Sequence, residues 1–218
     1  MTFTSIDAEQ RSEAWFQARL GRLTGSRAAD MLATIKTGEA AARRDYRTQL
    51  VVERLTGQIQ EDAFVSKDMM RGVELEPAAR DAYERAAGVF VQSTGFLASV
   101  EHMAGCSLDG HVDDFSNRRA GIVELKCPRS ATHLRYLRTW TMPAEHVAQV
   151  THNLWITGAQ WCDFASFDDR FPEALRLFRV RVMRDEAAIA AYESKALVFL
   201  DEVEREYQEL LAMTKVGM

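Results

Sequence analysis

The sequence predicts an α/β or α+β fold in which a mixed central β-sheet is flanked by helices. Three observations carry this. Apolar residues recur at helical spacing over the first sixty positions and again near the C-terminus. The period shortens toward two between Val89 and Leu125 and again after Trp161. Glycine or proline marks most of the changes. At 218 residues the chain can build its own core, and no repeat, low-complexity tract or linker divides it. Residues 1–218 therefore read as a single domain, with N-terminal helices over 1–60, a core over 61–182 and a C-terminal helix over 185–213.

In order, Trp15, Phe16, Ala18 and Leu20 form an apolar helical set that ends at Gly21, and a second helix starts at Ser26 before Ala28, Ala29, Met31 and Leu32. A third helix is expected from Ala41 to Leu55, closed by Gly57. A fourth should run from Lys67 to Ala87 with Pro77 inside it, closed by Gly88. Strands are expected at Val89–Val91, Phe96–Val100, Cys106–Val112 and Ile122–Leu125, separated by Gly95, Gly105 and Gly121 and ended by Pro128. Ala131–Trp140 and Ala144–Ile156 read as helices, and Pro143 suits the first turn of the second. Trp161–Phe167 and Leu175–Val182 carry the aromatic and β-branched residues of strands, and Glu186–Met213 is a long acidic helix.

Composition excludes several classes. With 47% hydrophobic and 27% charged residues and only 4 Pro, the chain is neither disordered nor collagen-like. Cys106, Cys127 and Cys162 are odd in number and include no C-x-x-C pair, which argues against a disulfide framework or a zinc knuckle and for a reducing cytoplasm. Neither a basic segment leading into an apolar stretch at the N-terminus nor a run of 18 apolar residues is present, so secretion and membrane spanning are not expected. There is no G-x-x-x-x-G-K-[ST] loop for ATP. The five histidines show no H-E-x-x-H spacing, so zinc is not expected either. The net charge of −5 argues against a nucleic-acid partner only if it is spread evenly, and it is not. Residues 11–54 carry 9 basic against 5 acidic groups and residues 129–140 carry 3 basic and none acidic, whereas residues 185–218 carry 3 against 8. This division predicts a positive channel and an acidic C-terminal helix on different faces.

The chemistry concentrates in Ser107-Leu108-Asp109-Gly110 and Glu124-Leu125-Lys126-Cys127-Pro128. Alternate strand residues share a face, so Glu124 and Lys126 point the same way, and a hairpin can set Asp109 beside them. Two carboxylates and an amine in that arrangement suit Mg²⁺ shared with substrate phosphate. The fragment Glu-x-Lys is weak by itself: it recurs at Glu193-Ser194-Lys195 in the C-terminal helix, and a surface cross-strand ion pair would use the same residues. Glu76 could add a third carboxylate from the fourth helix or pair with Arg80 one turn on. Gln149 could support the site or be an ordinary exposed helix residue.

Arg11-Ser12-Glu13-Ala14-Trp15-Phe16, Arg19 to Ser26, Gly72 to Glu76, the two stretches above, Ala148-Gln149 and Trp155-Ile156-Thr157-Gly158 occur in one order. With these motifs, over about residues 10 to 182, the chain resembles the phage lambda exonuclease family, the YqaJ viral recombinases of the PD-(D/E)xK nuclease superfamily. Leu108 departs from the family pattern, standing where many members have Pro before the Asp.

The resemblance implies a restriction-endonuclease-like core and a Mg²⁺-dependent 5′ to 3′ exonuclease. Such an enzyme would degrade one strand of linear double-stranded DNA to 5′-mononucleotides and leave 3′ tails for recombination. It implies two Mg²⁺ ions, replaceable by Mn²⁺, on Asp109, Glu124, the Leu125 main-chain carbonyl and Glu76. Lys126 would orient or deprotonate the attacking water, and Gln149 would support the site. Arg19, Ser26 and Ser107 would bind a terminal 5′-phosphate. Ser26 lies ahead of a helix whose free N–H groups favour an anion, although an ordinary N-cap Ser and a surface Arg would look the same. Met69 would be an apolar wedge between the strands, or core packing beside Met70 and Val73. The family also implies a homotrimeric ring around DNA, a single-strand annealing protein as partner, and a phage or prophage gene acting in the bacterial cytoplasm. The rival readings are a PD-(D/E)xK endonuclease or junction resolvase, and a non-catalytic DNA-end-binding module.

Overall fold

The computed structural model describes residues 2–60, 67–113 and 119–216. In chain order these form β1 (Phe3–Ile6), α1 (Glu13–Arg19), β2 (Leu23–Thr24), a 3₁₀ turn (Gly25–Arg27), α2 (Ala28–Met31), α3 (Ala41–Thr56) and α4 (Lys67–Ala87). Next come β3 (Phe96–Ser99), β4 (Ala104–Ser107), β5 (Gly110–Asp113), β6 (Arg119–Lys126), α5 (Ser130–Thr139) and α6 (Ala144–Thr157). The chain ends with β7 (Trp161–Phe167), β8 (Leu177–Met183) and α7 (Glu186–Val216). The mixed α+β class is as expected, with α3 and α6 closed by Gly57 and Gly158 in the left-handed conformation.

The strand arrangement differs from a single central sheet. The described residues form two four-stranded sheets, ordered β1-β3-β4-β2 and β5-β6-β7-β8, and each mixes parallel and antiparallel pairs. The run expected as one strand over Cys106–Val112 supplies a strand to each sheet and breaks at Leu108-Asp109. Leu108 is buried in the core, while the Asp109 carboxylate accepts the Leu125 N–H at 2.7 Å. The register explains the bond. Pairing of β5 with β6 ends at Gly110 opposite Val123, so Leu125 lies past the last ladder position and its N–H needs another acceptor. Two further expectations are corrected. The first sixty residues are not all helical, because β1 pairs with β3 and β2 with β4. Val89–Val91 forms no strand, and this stretch meets the sheet through an isolated bridge between Gln92 and His111.

Each face of the second sheet is covered. Val123, Leu125 and Ala165 pack under Tyr83 of α4. On the opposite face Ile122 and Cys162 join the main core with α3, α6 and α7, and Phe164 and Phe178 pack against Tyr136 of α5. With helices on both sides, Ile122 to Leu125 are all buried, which is why β6 reads as an apolar run rather than an alternation.

Charge is also arranged differently from the expected separation of faces. Arg43 and Arg47 of α3 bridge to Glu202 of α7, Arg47 also to Glu206, and Arg54 to Glu204 at 3.0 Å. Much of the N-terminal positive charge is therefore neutralised by the acidic helix that was expected to stand apart from it. Among the described residues no helix is long and apolar enough to cross a membrane.

Candidate active site

The break between β4 and β5, the end of β6 and one face of α6 meet at Glu124. The residue is 1% exposed, and among the described residues three side chains bond its carboxylate: Lys126 Nζ and Gln149 Nε2 (2.7 Å) donate to Oε1, and Asn153 Nδ2 donates to Oε2 at 3.2 Å. Gln149 and Asn153 are four residues apart on α6 and so share a face. Gln149 is thus engaged with Glu124 and is not an idle surface residue. Burial raises the Glu124 carboxyl pKa to about 7; Asp109 adds to the rise, and Lys126 and Gln149 oppose it. Burial works against the Lys126 ammonium, but Glu124 and Asp109 outweigh it and raise its pKa.

Glu76 reaches the site from α4. Its pKa is raised by burial and by the charge of Asp109, and it is lowered in turn by Arg80, Arg11 and Lys126. Glu76 also lines a cleft with Asp109, Arg11 and Arg80. The Arg80 guanidinium donates to the Asp109 carbonyl. Residue spacing predicted a Glu76–Arg80 pair and gave no sign of this contact.

These oxygens fit a hard divalent cation. Three carboxylates, one of them fully buried, stand among Lys126, Arg80 and Arg11. Beyond the effect of burial, the like charge of Asp109 still raises the pKa of both Glu76 and Glu124, a repulsion that a bound cation would relieve. Asp109 uses one carboxylate oxygen on Leu125 and accepts no further hydrogen bond among the described residues. The side chains as they stand do not converge on one point. Among the described residues no group of three acid, His or Cys side chains is close enough to hold a metal ion.

Of the three residues expected around a terminal phosphate, two are linked. The Arg19 guanidinium lies 4.2 Å from the centre of the Trp15 ring, and Trp15 Nε1 donates to Ser107 Oγ at 2.7 Å. Trp15 is thus a member of this cluster that single-residue reasoning missed. Ser26 is exposed, with its hydroxyl 3.4 Å from that of Thr24. It is not a helix N-cap: it lies inside the 3₁₀ turn, and the helix that follows has only four residues. The expected dipole contribution is correspondingly lost. Met69 lies in α4, and its side chain is outside the described residues.

Residues 14–160 match the model of the YqaJ-like viral recombinase domain. An alkaline exonuclease, LHK-Exo, from Laribacter hongkongensis is 37% identical, with a TM-score of 0.83 over 95% of this chain and 100% of that one. LHK-Exo in complex with dAMP gives 36% and 0.84 over the same shares. A phage related exonuclease from Haemophilus somnus 129PT shares the fold at 13% identity, with a TM-score of 0.65 over 87% of this chain and 96% of that one. No protein of curated function matches the chain.

Proposed function

The chain belongs to the YqaJ-like viral recombinase family, and from that premise we propose that it is a Mg²⁺-dependent 5′ to 3′ exonuclease of linear duplex DNA. It would leave 3′ single-stranded tails for strand-annealing recombination. Family membership supports a nuclease acting on DNA. The observation that supports the finer reading is the bonding of Lys126 and Gln149 to the buried Glu124 carboxylate, with Asp109 held on the neighbouring Leu125 N–H at the break between the sheets. The complex of LHK-Exo with dAMP supports a site that accepts a mononucleotide.

In this reading Asp109, Glu124, the Leu125 carbonyl and Glu76 would hold two Mg²⁺ ions, replaceable by Mn²⁺, which supply charge stabilisation for the attacking and leaving oxygens of an in-line displacement. Lys126, hydrogen-bonded to Glu124, would orient or deprotonate the attacking water. Gln149 holds the Glu124 carboxylate. Arg19, beside Ser107 through Trp15, binds the terminal 5′-phosphate together with Ser26, and Met69 parts the strands. A homotrimeric ring around DNA and a single-strand annealing partner complete the proposal.

Strand-labelled linear duplexes with 5′-phosphate or 5′-hydroxyl ends, run beside a closed circle, test it. We expect faster loss of the 5′-phosphorylated strand, an intact circle, and no reaction in chelator. Asp109→Asn and Lys126→Ala should each lower cleavage by roughly a hundredfold or more while DNA binding survives. Mg²⁺-dependent cleavage retained in both would overturn the assignment, and cutting of the circle would favour an endonuclease. Arg19→Ala should abolish the preference for phosphorylated ends.

A further inference from the structure

Asn153 is 1% exposed and carries two unequal ends. A carboxylate only accepts, so the amide NH₂ must face Glu124, where it donates to Oε2 at 3.2 Å. The amide oxygen is thereby turned the other way, and there it is buried with no hydrogen-bond partner among the described residues. It abuts Gly25, the first residue of the turn that carries Ser26: a Cβ on Gly25 would lie 2.4 Å from Asn153 Oδ1. Gly25 has no left-handed φ to explain it. The close approach of Asn153 is what demands a residue without a side chain. His152, next along α6, fixes the height of this contact by bonding the Gly105 carbonyl at 2.9 Å, on the strand paired with β2.

We propose that Asn153 is a positioning residue that couples the Gly25-Ser26 turn to Glu124, so that seating a terminal phosphate at that turn sets the carboxylate that receives the metal ion. This rests on the 5′-phosphate and metal roles proposed above. One amide touches both places, and its oxygen is the nearest atom that a shift of the turn toward α6 would meet. Its spare acceptor gives the turn a second arrangement, in which a backbone N–H of the turn satisfies it. Coupling of this kind is reciprocal: phosphate at the turn tightens metal binding by the same factor as metal tightens the phosphorylated end.

The test is calorimetric titration of the intact protein with Mg²⁺, alone and with a duplex whose terminal linkages resist cleavage, carrying either a 5′-phosphate or a 5′-hydroxyl. In the wild type, Mg²⁺ should bind about fivefold or more tighter with the phosphorylated end than with the hydroxyl end. Asn153→Ala should bring that ratio to about one and weaken Mg²⁺ binding to the DNA-free protein by about tenfold. Gly25→Ala, made on the turn side in case the buried substitution unfolds the chain, should also collapse the ratio. Removing the Asn153 side chain makes room for the new methyl, so Gly25→Ala should add nothing in an Asn153→Ala background. A wild-type ratio that survives in both single variants would overturn the coupling and leave the pocket standing. A wild type that binds Mg²⁺ equally with both ends overturns the coupling too; the pocket itself falls only if both ends are also digested equally.

Discussion

Glu124 is the residue on which the site turns, because burial and hydrogen bonding pull its carboxyl in opposite directions. Burial favours the neutral acid; the bonds from Lys126 and Gln149 favour the anion, and the first effect is larger. Removing one donor therefore has a definite sign. In Gln149→Ala the carboxyl should take its proton at higher pH, so the acid limb of the cleavage profile should move up the pH scale, and cleavage at neutral pH should fall about tenfold. A pH–rate profile of the variant beside the wild type checks this, and a uniform drop with an unmoved limb would contradict it. Asp109, Glu124 and Lys126 were legible in the sequence because strand alternation sets Glu124 and Lys126 on one face and a glycine marks the turn at Asp109. Asn153 and Arg80 were not. Each meets its partner across a large sequence separation, Asn153 to Glu124 and Arg80 to the Asp109 carbonyl, and no local period records such a contact.

At the scale of elements, α6 is the part that assembles the site. It presents Gln149 and Asn153 to Glu124, and His152 ties it to the rest of the fold, to the Gly105 carbonyl through Nε2 and to the Tyr192 hydroxyl of α7 at 2.7 Å. A carbonyl only accepts, so Nε2 carries the proton and Nδ1 accepts from Tyr192. The ring is neutral, with burial lowering its pKa to about 4. In the unfolded chain the same ring titrates near its ordinary value of about 6.5, so between the two pH values the unfolded state binds more protons. The stability contributed by the neutral ring is complete above about pH 6.5 and is lost as pH falls toward 4, by about 3 kcal/mol in all. Denaturant unfolding at pH 7.5, 6 and 5 should show this component, and His152→Gln, which can still donate to Gly105, should remove it. An unchanged pH slope in that variant would disprove the account. The longer helices were readable from their period and closing glycines, whereas the one expected from Ser26 is a 3₁₀ turn followed by the four residues of α2. The division into two sheets was not, because the apolar run across Cys106–Val112 continues through Leu108, and the break is set by the register of β5 on β6. β1 escaped notice for a related reason: Phe-Thr-Ser-Ile is short, and its partner β3 lies some ninety residues away.

Over the whole molecule, the positive charge available to DNA is smaller than the sequence sum implies, because α7 lies along α3 and pairs with its arginines. The second basic segment is partly neutralised as well: Arg129 pairs with Asp68 and Arg135 with Glu145, while Arg138 is exposed near the end of α5. Two classes of arginine follow from this. Arg43, Arg47 and Arg54 of α3 join it to α7 and should matter to stability. Arg47, whose side chain is 20% exposed and meets Glu39, Glu202 and Glu206, should cost about 1 kcal/mol of unfolding free energy when changed to Ala and leave DNA affinity nearly unaltered. Arg138, if it meets a phosphate of the duplex, should behave in the opposite way. Arg138→Ala should leave the unfolding transition in place, weaken binding of every sequence alike, and flatten the plot of log affinity against log salt by about 0.9, the release of one counterion. Binding isotherms at several salt concentrations, in chelator so that the duplex stays whole, separate the two classes. If Arg47→Ala changed the salt slope and Arg138→Ala did not, DNA would run over the α3 surface and the pairing with α7 would have to open to admit it.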